Sequence, residues 1–423
     1  MRLHKNRHMS QPWYREPTRA QWASFVAAWV GWVLDAFDFT IFLLVMPAIS
    51  KEFGVSRTAA AGSVTLTLLL RLLGGVAAGS VADRWGRKLP LMIAMVWFAV
   101  CDGAVALAPS FGWVLALRTL FGFGMGAEWT AGATLAMENW PERSRGIASG
   151  ILQGSWAIGY LLAAVASGWI LPRFGWRGLF VVAALPALLV LPIRWMVPES
   201  AEHARSVMRA HQSFDALAQK RIILRIVWAS AAMALGFGAY YGLTGLYPTL
   251  LIDLGLDAGG VARLVAFFNI GMLAGAVLCG SLAGRLGVAR AVAIPALLSL
   301  PFLPIYVGHV PPLLWLGALA GGAFGAGFSG ITPLFLTGLF PPEIRARAVG
   351  IVYHLGAFGA AFVPTGIAAL SEHGLKLPTA ILLVAGGCEL GLVVLLGGPL
   401  LFRRASTTVG GGAIDAAPQA VDG

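Results

Sequence analysis

The sequence predicts an all-α membrane protein with twelve transmembrane helices in two pseudo-symmetric halves of six. Two observations on composition and one on repetition support this fold class. The 423 residues are 58% hydrophobic and only 12% charged. The apolar residues gather in runs long enough to cross a bilayer. Motifs of the first half of the chain recur in the second half at a nearly constant offset, as described below.

The composition excludes several classes of protein. A soluble domain has about 45–50% apolar and about 25% charged residues, so an ordinary soluble enzyme and a disordered chain are both excluded. The net charge of +11 does not indicate nucleic-acid binding, because the Lys and Arg residues lie between apolar runs. The three cysteines, Cys101, Cys279 and Cys388, show no metal-ligand spacing, and no phosphate-binding loop or HExxH motif occurs. We therefore expect no metal, no cofactor and no enzymatic activity.

Twelve runs approach the length of about 20 mostly apolar residues that a membrane-crossing helix needs. They cover residues 22–49, 59–82, 89–108, 112–137, 146–171, 177–196, 223–252, 259–283, 288–308, 312–339, 348–370 and 377–402. The expected organisation is a basic N-terminus (1–20), a first half (21–197), a linker (198–222), a second half (223–404) and a disordered tail (405–423). The first run follows a long polar stretch without a cleavage site, so we expect it to remain as a span.

The positive residues predict the orientation of the spans. If the N-terminus is cytoplasmic, 22 of the 30 Lys and Arg residues lie in cytoplasmic segments and 6 in outer segments. Cytoplasmic loops carry an excess of Lys and Arg. We therefore expect a multi-pass protein of the plasma (inner) membrane with both termini and the linker in the cytoplasm.

Two motifs recur between the halves. The segment GSVADRWGRK (79–88) returns in degraded form as GSLAGRLGVAR (280–290), an offset of 201 residues. RGIASG (145–150) matches RARAVG (345–350), and Gly126 matches Gly327. Parallel halves with a site between them near the bilayer midplane are a transporter architecture.

These motifs resemble those of a known family. GSVADRWGRK closely resembles the signature of the major facilitator superfamily between its second and third helices, and Arg118-x-x-x-Gly122-x-Gly124-x-Gly126 resembles its fourth-helix motif. The resemblance extends over residues 21–404 and implies that superfamily's twelve-helix fold and transport by alternating access.

Within the superfamily, three segments are similar to the sialate:proton symporter group of sialic-acid and lactate/pyruvate carriers. They are DAFDF (35–39), GMGAEW (124–129) and WPERSRGIASG (140–150). The aromatic-acid:proton symporters share a similar acidic pair in the first helix and are the next nearest group. One stretch departs from the lactate carriers: YGLTG (241–245) replaces their polar HGTQD run before the shared LYPT. The resemblance therefore leaves the substrate open among these acids.

Charged residues inside predicted spans are the strongest site candidates, since an ionisable group at mid-bilayer costs at least about 2.5–3.5 kcal/mol. Asp35 and Asp38 lie one helical turn apart on one face. Two carboxylates close together in a low dielectric cannot both ionise at low cost, so we expect this pair to bind the coupling proton. Glu128 and Arg118 are further candidates for a proton relay. Asp102 could serve either role, structural or functional, and Glu389 in the last span is expected to be structural or interfacial.

Arg71 is the expected anchor for an anionic substrate, because its planar, always charged guanidinium can hold a carboxylate by two hydrogen bonds. A substrate on Arg71 would free an aspartate to accept a proton. Tyr240, Tyr241, Tyr247, Asn269 and His354 are polar groups in second-half spans that could line the cavity or join helices. Most Phe and Trp residues are expected to contact lipid or the membrane interface.

The inner turn after the second span is the expected gate. The family resemblance implies a latch, an ion pair made in one conformation and broken in another, built from Gly79, Asp83, Arg84, Gly86 and Arg87 with Arg145 as the partner across the half. Simple positive-inside anchoring is the alternative.

Taken together, the residues predict a secondary carrier that takes up a small organic anion with a proton and functions as a monomer in the bilayer. A proton-driven exporter of drugs or other small molecules would share the fold but would not need Arg71. A non-transporting membrane sensor on a carrier scaffold is the other alternative, although a sensor need not keep an Asp/Arg set.

Overall fold

A computed structural model describes residues 12–85, 88–138, 140–196, 219–340 and 344–402, and these residues form helices and short connections without any strand. The described residues of the first half form four continuous helices and a fifth helical stretch that Gly175 (φ 67°) breaks into two helices. They are α1 (Arg19–Phe53), α2 (Arg57–Trp85), α3 (Lys88–Ala106), α4 (Phe111–Glu138) and α5 (Arg145–Met196).

The described residues of the second half form ten α-helices. Some neighbouring helices are two parts of a single interrupted span. The ten helices are α6 (Lys220–Thr244), α7 (Tyr247–Asp253), α8 (Ala258–Leu286), α9 (Val288–Ser299), α10 (Leu303–Tyr306), α11 (Leu314–Ala320), α12 (Thr332–Leu339), α13 (Arg345–Ala360), α14 (Val363–Glu372) and α15 (Leu377–Phe402). A π-helical segment (Gly321–Ala326) and a 3-10 segment (Gly327–Ile331) connect α11 to α12.

These helices confirm the twelve predicted crossings. Nine helical stretches of the described residues are long and apolar enough to cross a membrane, and one of them, Glu142–Leu185, passes through the bend at Gly175 and crosses twice. The shorter apolar helices Met92–Ala106 and Phe111–Gly126 supply the remaining crossings.

Local sequence signals set the helix ends. Thr18 and Gln21 form a capping box at the start of α1, in which each side chain bonds the backbone of the other. This arrangement satisfies amides that a helix start leaves unpaired. Gly54 ends α1 in the left-handed conformation (φ 64°), and Asp257 caps α8 by accepting from the Gly260 amide.

The two halves, whose motifs repeat in the sequence, also share the same kind of close helix–helix contact. A Cβ added to Gly126 of α4 would lie 2.4 Å from the Gly75 backbone nitrogen of α2. At the equivalent place in the second half, a Cβ on Gly327 would lie 2.7 Å from the Gly275 Cα of α8. Glycines permit such close helix approach in membrane bundles.

The halves contact each other at both ends of the bundle. We name the end at which α1 begins the proximal end and the opposite end the distal end. At the distal end Arg57 forms a two-bonded ion pair with Asp253 (2.7 and 2.8 Å), and Thr58 donates to Glu372. Nearer the proximal end the Ser149 hydroxyl donates to the Gly330 carbonyl oxygen. Hydrogen bonds therefore connect the two halves both at the distal end and nearer the proximal end.

Candidate functional site

Asp35 and Asp38 both lie inside the first half, with 0% and 2% of their surface exposed. Neither carboxylate oxygen of Asp35 accepts a hydrogen bond from the described residues. Gly159 of α5 brings that helix close to α1 beside Asp35, because a Cβ there would lie 2.3 Å from the Val33 carbonyl oxygen. Asp35 interacts electrostatically with Arg71, Glu128, Arg118 and Asp102. The predicted acidic pair is thus enclosed beside the predicted cations.

Arg118 is already paired in this structure. Its Nη1 donates to Asp102 Oδ1 over 3.2 Å, and both side chains are 1% exposed. Its guanidinium carbon lies 4.1 Å from the centre of the Phe121 ring and 4.9 Å from that of Phe42. Asp38 interacts electrostatically with Asp102 and Arg118. The sequence left the role of Asp102 open, and the structure makes it the ion-pair partner of Arg118.

Arg71 has a different environment, formed by aromatic side chains from both halves. Its Nη2 donates to the Tyr353 hydroxyl over 3.1 Å. Its guanidinium carbon lies 5.1 Å from the centre of the Tyr353 ring and 6.0 Å from that of Trp156. Its Nε has no hydrogen-bond partner among the described residues. The guanidinium therefore keeps a donor available for a ligand.

Arg71 lines a space of about 790 Å³ between the halves, part of which is open to solvent. Arg71 is the one charged residue among the described residues that line it. Most of the wall comes from the second half, and its rings are Trp156, Phe237, Tyr240, Tyr241, Phe328, Phe335 and Tyr353. Such a wall suits a ligand with one anionic group and a flat apolar body.

The other predicted polar residues divide between three places. Tyr241 lines the large cavity with Arg71. Tyr247 and Asn269 line a separate space of about 260 Å³, together with Thr40, Tyr160 and Thr244. His354 packs on Gly75 of α2, where a Cβ would lie 2.3 Å from its Nε2. The structure thus brings Tyr241 together with Arg71, and it places Tyr247, Asn269 and His354 outside the large cavity.

Much of the predicted gate lies outside the described residues. Gly86 and Arg87 are among the residues not described, and the structure describes no side chain for Asp83 or Arg84 and no surroundings for Gly79. Arg145 donates from Nη2 to the Trp140 carbonyl oxygen over 3.1 Å. The latch remains a prediction.

The expectation that most Trp and Phe side chains contact lipid or the membrane interface does not extend to the tryptophans around the site. Trp32, Trp129 and Trp156 are buried. Trp129 stacks on Tyr353 with ring centres 3.3 Å apart, and Trp156 donates to the Tyr240 hydroxyl over 2.7 Å. These contacts join the two halves, which explains the burial.

Sequence reasoning missed four residues beside the cavity: Tyr353, Gln153, Trp156 and Trp129. Their position in the spans could have indicated them. A polar or amphipathic side chain inside a span is a candidate for lining a cavity between the helices. Tyr353 adjoins His354 and could have been noticed with it. Its contact with Arg71 spans 282 residues of sequence, and no local pattern predicts such a partner.

Comparison with known proteins identifies similar chains. The family model described as the Major Facilitator Superfamily matches residues 28–293. The chain is 29% identical over 395 residues to the sialic acid transporter NanX of Escherichia coli (strain K12), covering 91% of this chain and 96% of that protein. It is 28% identical over 420 residues to the 4-hydroxybenzoate transporter PcaK of Pseudomonas putida, covering 89% and 93%.

A solved structure shares the fold. The crystal structure of a D-xylose-proton symporter superimposes with a TM-score of 0.71 at 19% sequence identity, covering 88% of this chain and 97% of that one. Similarity at this level of identity supports the twelve-helix fold.

Proposed function

The chain belongs to the Major Facilitator Superfamily and is a membrane transporter, and we propose that it carries a small organic carboxylate together with a proton by alternating access. The observation that carries this proposal is the position of Arg71, a permanent cation on the wall of a cavity between the halves. Relatives whose names give sialic acid and 4-hydroxybenzoate as substrates support an acid as the cargo.

Among such acids, the cavity favours one with an aromatic ring. Seven aromatic side chains line it, and the other lining residues are mostly aliphatic. A polyhydroxylated acid would need many hydrogen-bond partners, since buried polar groups without them are costly. A flat ring instead gains contact with aromatic side chains in offset or edge-to-face arrangements. We therefore propose an aromatic monocarboxylate of benzoate type as the preferred substrate.

The carboxylate and the proton are coupled through the balance of charge around Arg71. Without substrate, the interaction between Arg71 and Asp35 offsets part of the cost of two buried charges. A substrate carboxylate that bonds Arg71 replaces Asp35 as the counter-charge. Asp35, enclosed and without a hydrogen bond among the described residues, then gains by binding a proton. Substrate and proton leave together when the halves move.

The transport direction follows from the predicted orientation. With the proximal end in the cytoplasm, the distal end would receive substrate and protons from the acidic side of the membrane. Net flow is then inward. The Arg57–Asp253 pair and the Thr58–Glu372 contacts at the distal end would have to separate for substrate to enter.

Counterflow in liposomes tests the substrate. Vesicles with purified protein are loaded with one unlabelled acid, and uptake of the same labelled acid is followed without any ion gradient. The panel comprises benzoate, 4-hydroxybenzoate, lactate, pyruvate, sialic acid and xylose. We expect exchange of the benzoate-type acids to exceed that of the others. Exchange of xylose alone would contradict the role of Arg71, and no exchange of any member would support the exporter or sensor alternatives.

A further inference from the structure

Glu389 in the middle of α15 is a buried carboxyl group that the proposed coupling does not use. Its side chain is 0% exposed, and neither carboxyl oxygen has a hydrogen-bond partner among the described residues. An ionised carboxylate in such a place is strongly disfavoured. The protonation state of Glu389 therefore depends on the groups around it.

The carboxyl group faces a second buried polar side chain. Ser299 at the end of α9 is 0% exposed, and its hydroxyl also lacks a hydrogen bond among the described residues. A Cβ built on Gly325 would lie 2.8 Å from Glu389 Oε1 and 2.8 Å from Ser299 Oγ. Two oxygen atoms from different helices thus flank one glycine of the π-helical segment.

Two irregular segments and one helix end lie close to Glu389. The α-helix α9 gives way to a 3-10 turn directly after Ser299. Gly325 belongs to the π-helical segment Gly321–Ala326. Leu243, whose Cδ1 lies 2.7 Å from the same Cβ position, precedes the end of α6 at Thr244. Irregular turns of this kind are frequent at functional sites, and coupling ions in transporters bind at interrupted helices.

No described charge lies opposite Glu389 to balance it. On α6, Tyr240 bonds Trp156 and Tyr241 interacts with Arg71. The Tyr306 hydroxyl of α10 donates to the Leu243 carbonyl oxygen. Cys388 is the adjacent residue on α15 itself. The charged residues on the packed helices lie towards the helix ends: Lys220, Arg221 and Arg225 on α6, Arg290 on α9 and Glu372 on α14.

We propose that Glu389 is a second proton-binding site, in the second half and separate from Asp35 and Asp38. Its carboxyl group is protonated in the arrangement described here, with Ser299 as its polar neighbour. It ionises only when the end of α6, the 3-10 turn after α9 and the π-helical segment separate and admit water. Ala326 follows Gly325 and Leu392 lies one turn from Glu389, and both line the large cavity. Through these two residues, protonation of Glu389 is linked to the shape of the cavity wall.

Infrared spectroscopy of the protein in lipid tests the protonation state without any substrate, so the result is independent of which acid is carried. The difference between wild type and Glu389→Gln should show the carbonyl band of a protonated carboxyl near neutral pH. That band should be lost in the variant. In wild type it should decline at alkaline pH as a carboxylate band grows.

Two further variants test whether the carbonyl band belongs to Glu389. Ser299→Ala should shift the band without abolishing it, because only the polar neighbour is removed. Glu52→Gln, which removes a carboxyl at the distal end that is 40% exposed, should leave the band unchanged. A wild type without the band, or a band that does not respond to alkaline pH, would overturn the proposal.

Transport supplies the second readout. Glu389→Gln imitates the protonated form, so the variant should fold and exchange substrate near neutral pH as wild type does. Wild-type exchange should slow at alkaline pH, and the variant should slow less, because only Asp35 and Asp38 remain in it to release protons. An unchanged alkaline profile in a folded variant would show that Glu389 does not titrate during the cycle.

Discussion

The residues around Arg71 support its proposed role as the anchor for an anionic substrate. Tyr353 accepts one of its hydrogen bonds, and Tyr241 interacts with it from the same cavity wall. Both tyrosines belong to the second half, whereas Arg71 belongs to the first. A ligand bound at Arg71 would therefore contact both halves and would influence how they meet.

Replacement of Arg71 by lysine tests the bidentate contact. Lysine keeps the positive charge but loses the planar pair of donors. We expect the KM for a benzoate-type acid to rise about tenfold, which corresponds to about 1.4 kcal/mol of binding free energy. Initial uptake rates over a concentration series measure it. Arg263→Lys on the exposed face of α8 is the matched control, and an unchanged KM in Arg71→Lys would make Arg71 a structural residue.

Asp35 differs from Asp102 because it lacks an ion pair among the described contacts. Asp102 is joined to Arg118 over 3.2 Å. Because each charge of this buried pair is balanced by the other, we propose a structural role for Asp102 and Arg118 that does not require a proton. Asp35 and Asp38 remain the proposed proton carriers.

Replacement of Asp35 by asparagine should separate exchange from accumulation. The amide cannot bind or release a proton, so a pH gradient should no longer drive accumulation of the acid. Exchange without a gradient should continue, because Arg71 is intact. Uptake and counterflow in the same vesicles measure both quantities. Glu142→Gln, at an exposed position, is the control, and normal accumulation in Asp35→Asn would exclude this proton site.

At the scale of helices, the position of Arg71 depends on the close contact of α4 with α2. A Cβ on Gly126 would lie 2.2 Å from the Arg71 backbone carbonyl oxygen. No real Cβ can approach a backbone atom so closely, and so the two helices would have to separate. The fourth-helix motif is explained here by packing that holds Arg71 in place.

Gly126→Ala should therefore destabilise the protein and displace Arg71. Overpacking of this kind costs about 1–3 kcal/mol. Thermal unfolding in detergent should show a lower Tm, and uptake should fall with it. Gly366→Ala makes the same change in α14, where no atom lies within 4 Å of the new Cβ. Equal melting temperatures for the two variants would argue against this packing role.

The sequence predicted the regular helices well and the interrupted ones poorly. Long apolar runs mark the spans, and Thr18, Gly54 and Asp257 mark helix ends by their capping chemistry. The π-helical segment Gly321–Ala326 has no such signal, because its geometry comes from packing against neighbouring helices. The same holds for the candidate site: the cost of burying charge singles out Asp35 and Arg71 as candidates, whereas Tyr353 and Trp129 come together only through the fold.

At the scale of the whole molecule, the two halves enclose the cavity and touch at both ends. The distal contacts include the ion pair of Arg57 with Asp253, in which both side chains are more than a third exposed. Such an exposed pair contributes little, about 0–1 kcal/mol. Contacts of this strength can break and re-form in each cycle, as the proposed alternating access requires.

Proton-driven accumulation is the central claim, and one measurement addresses it directly. Wild-type protein in liposomes is given a labelled benzoate-type acid with an acidic exterior, with and without a protonophore, beside protein-free vesicles. We predict accumulation above the external concentration that exceeds the protein-free control, collapses with the protonophore and is absent in Asp35→Asn. Accumulation that survives the protonophore, or expulsion of preloaded acid under the same gradient, would contradict symport.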